Sequence, residues 1–104
     1  MTPRVKAALS HITRLLAADL APRVRVNAIA PGVVETDGLK AALTDEVRAQ
    51  VTAATPLHRL ASVDDIAAAA VWLASPAAGV VTGKVIAVDG GARAPTFPNE
   101  IPDL

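Results

Sequence analysis

The sequence has no cysteine, and its aromatic content is 2 %, made up of Trp72 and Phe97. Without cysteine there is no disulfide, no thiolate metal site and no cysteine nucleophile. With so few aromatic rings, a core must be built from Ala, Val, Leu and Ile, each burying less area than Phe or Trp. Neither charge sign dominates, with 10 basic and 10 acidic residues and no basic block, so a surface for nucleic acid or anionic lipid is not implied. The longest apolar stretch, IAAAAVWLASPAAGVV, is alanine-rich and interrupted at Ser75-Pro76, too short to span a bilayer. Arg4 and Lys6 lead into a helical period, which is not a signal peptide. The expectation is a cytoplasmic protein.

What is present is enough for one small domain: 104 residues, 52 % of them hydrophobic. Val5, Leu9, Ile12, Leu16 and Leu20 recur at steps of three and four, which predicts a helix over 4–20 with these side chains on its apolar face. Ala21-Pro22-Arg23 ends it. In 24–30 the sequence VRVNAIA predicts a strand whose later half is apolar on both faces, as in a buried parallel sheet. PGVVETDG then forms a loop. Residues 38–54 have helical tendency, with Leu43, Val47 and Val51 on one face and Thr44 as a plausible cap ahead of Asp45 and Glu46.

Ser62-Val63-Asp64-Asp65 has the form of a capping box. It opens a helix over 63–74 with Ile66, Ala69, Ala70 and Leu73 inward. VIAV within 84–88 predicts a second buried strand before Asp89-Gly90-Gly91. Residues 93–104 hold three prolines and no period, so they read as an extended tail or an arm that docks on a partner. The fold class is therefore α/β, in the order helix, strand, helices, strand, with 1–92 as the folded portion. Two strands leave open edges and uncovered faces, so the pattern reads as part of a larger doubly wound parallel sheet.

KAALSHITRLLAADLAPRVRVNAIAPGVVETD followed by TPLHRLASVDDIAAAAVWLASPAAGVVTGKVIAVDGGA resembles the C-terminal part of the short-chain dehydrogenase/reductase family. The resemblance covers 6–92 and is greatest to members of the bacterial 7α-hydroxysteroid dehydrogenase and β-ketoacyl-type reductase kind. It implies a Rossmann-type fold and an NAD- or NADP-dependent oxidoreductase that interconverts an alcohol and a ketone. The family's glycine-rich dinucleotide turn and catalytic serine have no counterpart here; DGGA follows the last strand and opens no helix.

By the resemblance, Lys6 is the lysine of the family's Tyr-x-x-x-Lys pair. The tyrosine would fall at Thr2, and the chain has no tyrosine at all. A neighbouring ammonium favours the phenolate and brings a tyrosine's pKa toward neutrality; a threonine hydroxyl ionises too reluctantly to stand in. Lys6 also implies a contact to the nicotinamide ribose; read alone, it is a solvated lysine near a helix start. Pro31 and Gly32 are implied to turn the backbone against the nicotinamide, with the Val34 amide and carbonyl and the Thr36 hydroxyl meeting its carboxamide or the phosphates. Read alone, the same residues make a strand-to-helix turn. Asn27 reads as a backbone partner within the sheet.

The resemblance further implies a homo-oligomer, or pairing with another family subunit, through helix 63–74 and strand 84–88. Trp72 would then be an anchor, the alternative being an ordinary core position. TDEVRAQV either lines a substrate cleft or is a surface helix. His11 and His58 have no second ligand at metal spacing. The expected activity of the chain by itself is little or none. The rival expectations are a non-enzymatic module that adds its 24–30 strand edge to a complementary fragment, and a decayed gene fragment.

Overall fold

The computed structural model describes residues 3–92, with the side chain of Pro3 left aside; Thr2 and the tail 93–104 lie outside the described residues. The order is α1 (Pro3–Leu20), β1 (Ala28–Pro31), α2 (Asp37–Ala42), α3 (Asp45–Ala54), α4 (Val63–Ala74), a 3-10 turn (Pro76–Ala78) and β2 (Val85–Val88). The two strands are parallel, with Ala28 opposite Val85 and Pro31 opposite Val88. Three helices make the crossover between them, as the α/β pattern requires, and α4 packs on both strands. No helix among the described residues is long and apolar enough to cross a membrane.

The first strand is shorter than the predicted 24–30. Ahead of Ala28 the chain is held to 81–84 by a backbone bond, Gly83 N–H to the Val26 carbonyl at 2.7 Å, and by side chains. Val26 N–H donates to Thr82 Oγ1 at 3.0 Å, Asn27 Nδ2 donates to the Val81 carbonyl at 2.9 Å, and Asn27 Oδ1 accepts from Lys84 N–H at 3.1 Å. The Arg25 guanidinium donates to the Val81 and Ser75 carbonyls. The polar residues that break the apolar pattern of this segment, Arg25 and Asn27, thus supplement its backbone pairing. The second strand begins at Val85, one residue later than expected, and neither strand is buried in this chain: the first two residues of β1 are half-buried and its last two exposed, while β2 alternates between exposed and half-buried.

One helical expectation also changes, and one predicted apolar face is found uncovered. Residues 38–54 form α2 and α3, because Thr44 leaves the helical conformation and its hydroxyl accepts from Val47 N–H, starting a new helix after Leu43 caps the first. The predicted apolar face of α1 is turned away from the rest of the chain: Val5, Leu9, Ile12, Leu16 and Leu20 are 42–48 % exposed, whereas Thr13 and Ala17 are buried. Small residues allow this approach. A Cβ on Gly83, which has φ +72°, would lie 3.3 Å from the Ala17 methyl. On α4, Leu73 is buried and Ile66 and Ala69 are half-buried as expected, but Ala70 is exposed.

The helix that matches its expected bounds is α4, and its start is chemically specified. Ser62 Oγ accepts from Asp65 N–H at 3.1 Å while Asp65 Oδ2 accepts from Ser62 N–H at 2.8 Å, a reciprocal capping box. Arg59 adds two bonds to the same carboxylate, at 2.8 and 3.0 Å. The Arg59 hydrogen bond, and after it the Ser62 N–H and hydroxyl, hold the Asp65 carboxyl well below the usual carboxylate range. A depressed folded-state pKa stabilises the fold above the unfolded value of about 3.9 and loses that contribution as pH falls below it. Acidification through that region should therefore lower the urea midpoint of the chain, and Asp65→Asn should flatten the dependence. Equal acid sensitivity of the two proteins, read by circular dichroism, would refute this.

Candidate functional site

The residues at the carboxyl end of β1 are brought together as one braced loop. Pro31 has no N–H to extend the ladder, and Gly32 N–H takes the last sheet bond, to the Val88 carbonyl at 3.0 Å. Gly32 then passes so near the start of the Asp89-Gly90-Gly91 turn that a Cβ there would lie 2.7 Å from Asp89 Cβ and 2.9 Å from its Cα. The glycine is required by a protein neighbour, a reason that its place in a P-G pair does not reveal.

Beyond Gly32 the loop is clasped by the connector that precedes α4. Val34 and Ala61 form an isolated parallel bridge. Ala61 N–H donates to the Val33 carbonyl at 3.2 Å, and Glu35 N–H donates to the Ala61 carbonyl at 2.8 Å. Thr36 N–H turns back to the Val34 carbonyl at 2.8 Å. The Thr36 hydroxyl caps α2, accepting from Leu39 N–H at 3.2 Å, which leaves its own proton free to donate. The Val34 N–H has no protein partner among the described residues. One loop therefore carries an unengaged amide and an unengaged hydroxyl proton, within two residues of each other.

The connector is itself locked to the end of β2. Leu57 N–H donates to the Gly90 carbonyl at 3.0 Å, and a Cβ on Gly90, at φ +67°, would lie 2.7 Å from the Thr55 methyl. Thr55 and Val51 are buried, and the Thr55 hydroxyl donates to the Val51 carbonyl at 2.8 Å. The first turn of α4 and the loop border an open depression of about 420 Å³ lined by Glu35, Thr36, Asp37, Lys40, Ser62, Val63 and Asp64. Glu35 is ion-paired with Arg48 of α3.

Lys6 is not part of this cluster. It lies exposed near the start of α1, its side chain forms no hydrogen bond or ion pair among the described residues, and it does not line the depression. The predicted set thus divides into Pro31, Gly32, Val34 and Thr36, which the fold assembles, and Lys6, which stands apart. Asn27 is a backbone partner, as its sequence setting implied. His11 and His58 are exposed, and no three His, Cys, Asp or Glu among the described residues are grouped to hold a metal. The supports Ala61, Asp89, Glu35 and Arg48 went unread. Only the compact DGG turn offered a signal for any of them.

A protein-family model described as enoyl-(acyl carrier protein) reductase matches residues 2–93. An uncharacterised oxidoreductase of Mycobacterium tuberculosis is 59 % identical over 95 % of this chain and 38 % of its own length. The 7alpha-hydroxysteroid dehydrogenase of Escherichia coli is 47 % identical over 83 % of this chain and 34 % of its own length. A solved 7alpha-hydroxysteroid dehydrogenase, in complex with NADH and 7-oxo glycochenodeoxycholic acid, superposes with a TM-score of 0.75 at 46 % identity, over 84 % of this chain and 34 % of that one. The chain thus spans about a third of the length of the relatives it matches.

Proposed function

Since this chain belongs to the short-chain dehydrogenase/reductase family, we propose that it forms the nicotinamide-facing, carboxyl-terminal third of an NAD- or NADP-dependent oxidoreductase acting on a small alcohol or ketone. The observation that carries this reading is the loop after β1. Its Val34 N–H is unengaged, its Thr36 hydroxyl has a proton to give, and it lies at the carboxyl end of a parallel strand, where open α/β sheets bind ligands.

The charge around the loop favours a neutral ligand group. With Glu35 paired to Arg48, the depression keeps Asp37 and Asp64 against Lys40, a net negative balance that repels phosphate and tolerates a carboxamide. In this reading Val34 N–H and the Thr36 hydroxyl orient the carboxamide, while Pro31 and Gly32 set the approach of the backbone. A bound dinucleotide supplies the hydride acceptor or donor. Lys6 is the ammonium that would tune a tyrosine at position 2, where this sequence has Thr2. With no tyrosine to hold or release the substrate's hydroxyl proton, the chain by itself is expected to be inactive.

The same reading makes the assembled protein a homo-oligomer, or a partner for another family subunit, through α4 and β2. Trp72 is 44 % exposed, and Val71 and Val85 are exposed beside it in sequence or on the strand, so an apolar face remains to be covered. It also assigns the protein to the cytoplasm. The test is to assay residues 1–104 with NAD(H) and NADP(H) over a panel of hydroxysteroids and simple ketones, alone and joined to the preceding two thirds of the Escherichia coli enzyme with Thr2→Tyr. Turnover by the joined protein and none by the chain alone is expected. A joined protein that is folded but binds neither dinucleotide refutes the proposal.

A further inference from the structure

The loop after β1 has backbone braces on two sides, and among the described residues one ion pair ties it to α3. Glu35 sits between the two residues with unengaged donors, Val34 and Thr36, and its carboxylate is paired with Arg48. Both side chains are partly screened from water, at 28 % exposure for Arg48 and 30 % for Glu35. An exposed pair of long side chains is a poor fastener, because each must give up its freedom to meet the other. This pair differs in its footing. Arg48 is three residues before Val51, so the two project from neighbouring positions on α3. Val51 is fully buried, and Thr55, one turn further on, is fixed against Gly90. The base of the arginine is therefore held by the most buried part of the chain. On the other side, Glu35 N–H is fixed to the Ala61 carbonyl, so the acid's backbone is also held.

From this geometry we infer that Glu35 and Arg48 are a positioning pair that sets the orientation of the Val34–Thr36 segment and ties it to the placement of α3. Its bearing on dinucleotide binding rests on the function proposed above; its effect on the loop does not. The peptide planes on either side of Glu35 carry the Val34 carbonyl, which receives the Thr36 N–H, and the Thr36 N–H itself. A rotation of Glu35 thus changes the turn that aims the Thr36 side chain, and with it the cap of α2. The placement of α3 is in this way tied to how the loop presents its donors.

The experiment is amide hydrogen exchange on residues 1–104, comparing the unaltered chain with Arg48→Met, Glu35→Gln, Arg48→Lys and the exchanged pair Glu35→Arg with Arg48→Glu. Expected are exchange rates at the hydrogen-bonded amides of Glu35, Thr36 and Leu39 raised about fivefold in the first two, about twofold in Arg48→Lys, and returned toward the original rate in the exchanged pair. Amides of β1, β2 and α4 should be unchanged in all four. Unaltered rates at Glu35, Thr36 and Leu39, failure of the exchanged pair to restore them, or uniform acceleration over the whole chain would overturn the inference. Titration of NADH or NADPH into the joined protein then separates the two ideas. If exchange behaves as stated but no dinucleotide binds, the function fails and the positioning pair stands. If dinucleotide binds and Arg48→Met leaves both its affinity and the exchange rates unchanged, the pair fails and the function stands.

Discussion

In the protein that joins this chain to the preceding part of the Escherichia coli 7alpha-hydroxysteroid dehydrogenase, with Thr2→Tyr, Lys6→Met should lower kcat at pH 7 by roughly 10²–10³. The size follows from ionisation. A tyrosine at its ordinary pKa of about 10 is ionised in roughly one molecule per thousand at pH 7. An ammonium one helical turn away favours the phenolate and raises that fraction. Lys6 stands four residues after position 2 and is exposed near the start of α1, with no carboxylate paired to it among the described residues, so its charge is free to act on a tyrosine introduced four residues before it. Removing the charge should also move the ascending, low-pH limb of the kcat profile for alcohol oxidation to higher pH, so that much of the loss is recovered there. Lys6→Arg should keep the charge but place it less well, and recover only part of the rate. A Lys6→Met protein with an unchanged profile would remove Lys6 from the chemistry and leave it a solvated helix residue.

How much of this was legible in the sequence depended on whether the governing interaction was local. The α4 cap was readable because all its partners lie between Ser62 and Asp65. Thr44 was readable as a cap for the same reason, although the helix break that it causes was not. The loop Pro31–Thr36 could be placed because a strand must end there. What holds it could not be read, since Ala61, Asp89 and Arg48 are remote in sequence and their residue types are ordinary. The apolar stripe of α1 is legible in the sequence, but what surrounds it is not. Periodicity shows which side chains avoid water, but not whether this chain supplies their cover, and here the chain packs α1 through Thr13 and Ala17 instead. The length of the first strand was overestimated because Arg25 and Asn27 fit an alternating pattern whose polar members turned out to be the bonding groups.

Gly32→Ala and Gly90→Ala should be the most damaging single-methyl additions to the chain. At Gly32 the new Cβ would lie 2.9 Å from the Asp89 Cα, so backbone must move. Overpacking of that kind costs about 1–3 kcal/mol. At Gly90 the Cβ would lie 2.7 Å from the methyl of Thr55, a buried residue with no room to retreat, and the backbone is left-handed besides. A left-handed conformation adds about 1–2 kcal/mol for a residue with a side chain. Gly38 provides the internal control. It lies within α2 with no neighbour near its would-be Cβ, and Gly38→Ala should stabilise that helix by about 0.5–1 kcal/mol. Urea titrations of the three variants should therefore fall on opposite sides of the unaltered chain. If Gly32→Ala and Gly38→Ala share one midpoint, the close approach of the loop to the β2 turn is wrong. The same two damaging substitutions act at different ends of one clamp, Gly32 at the loop and Gly90 at the connector that clasps it. In the joined protein, both should raise the KM for dinucleotide more than that for the alcohol, because what they displace is the segment from Val33 to Thr36.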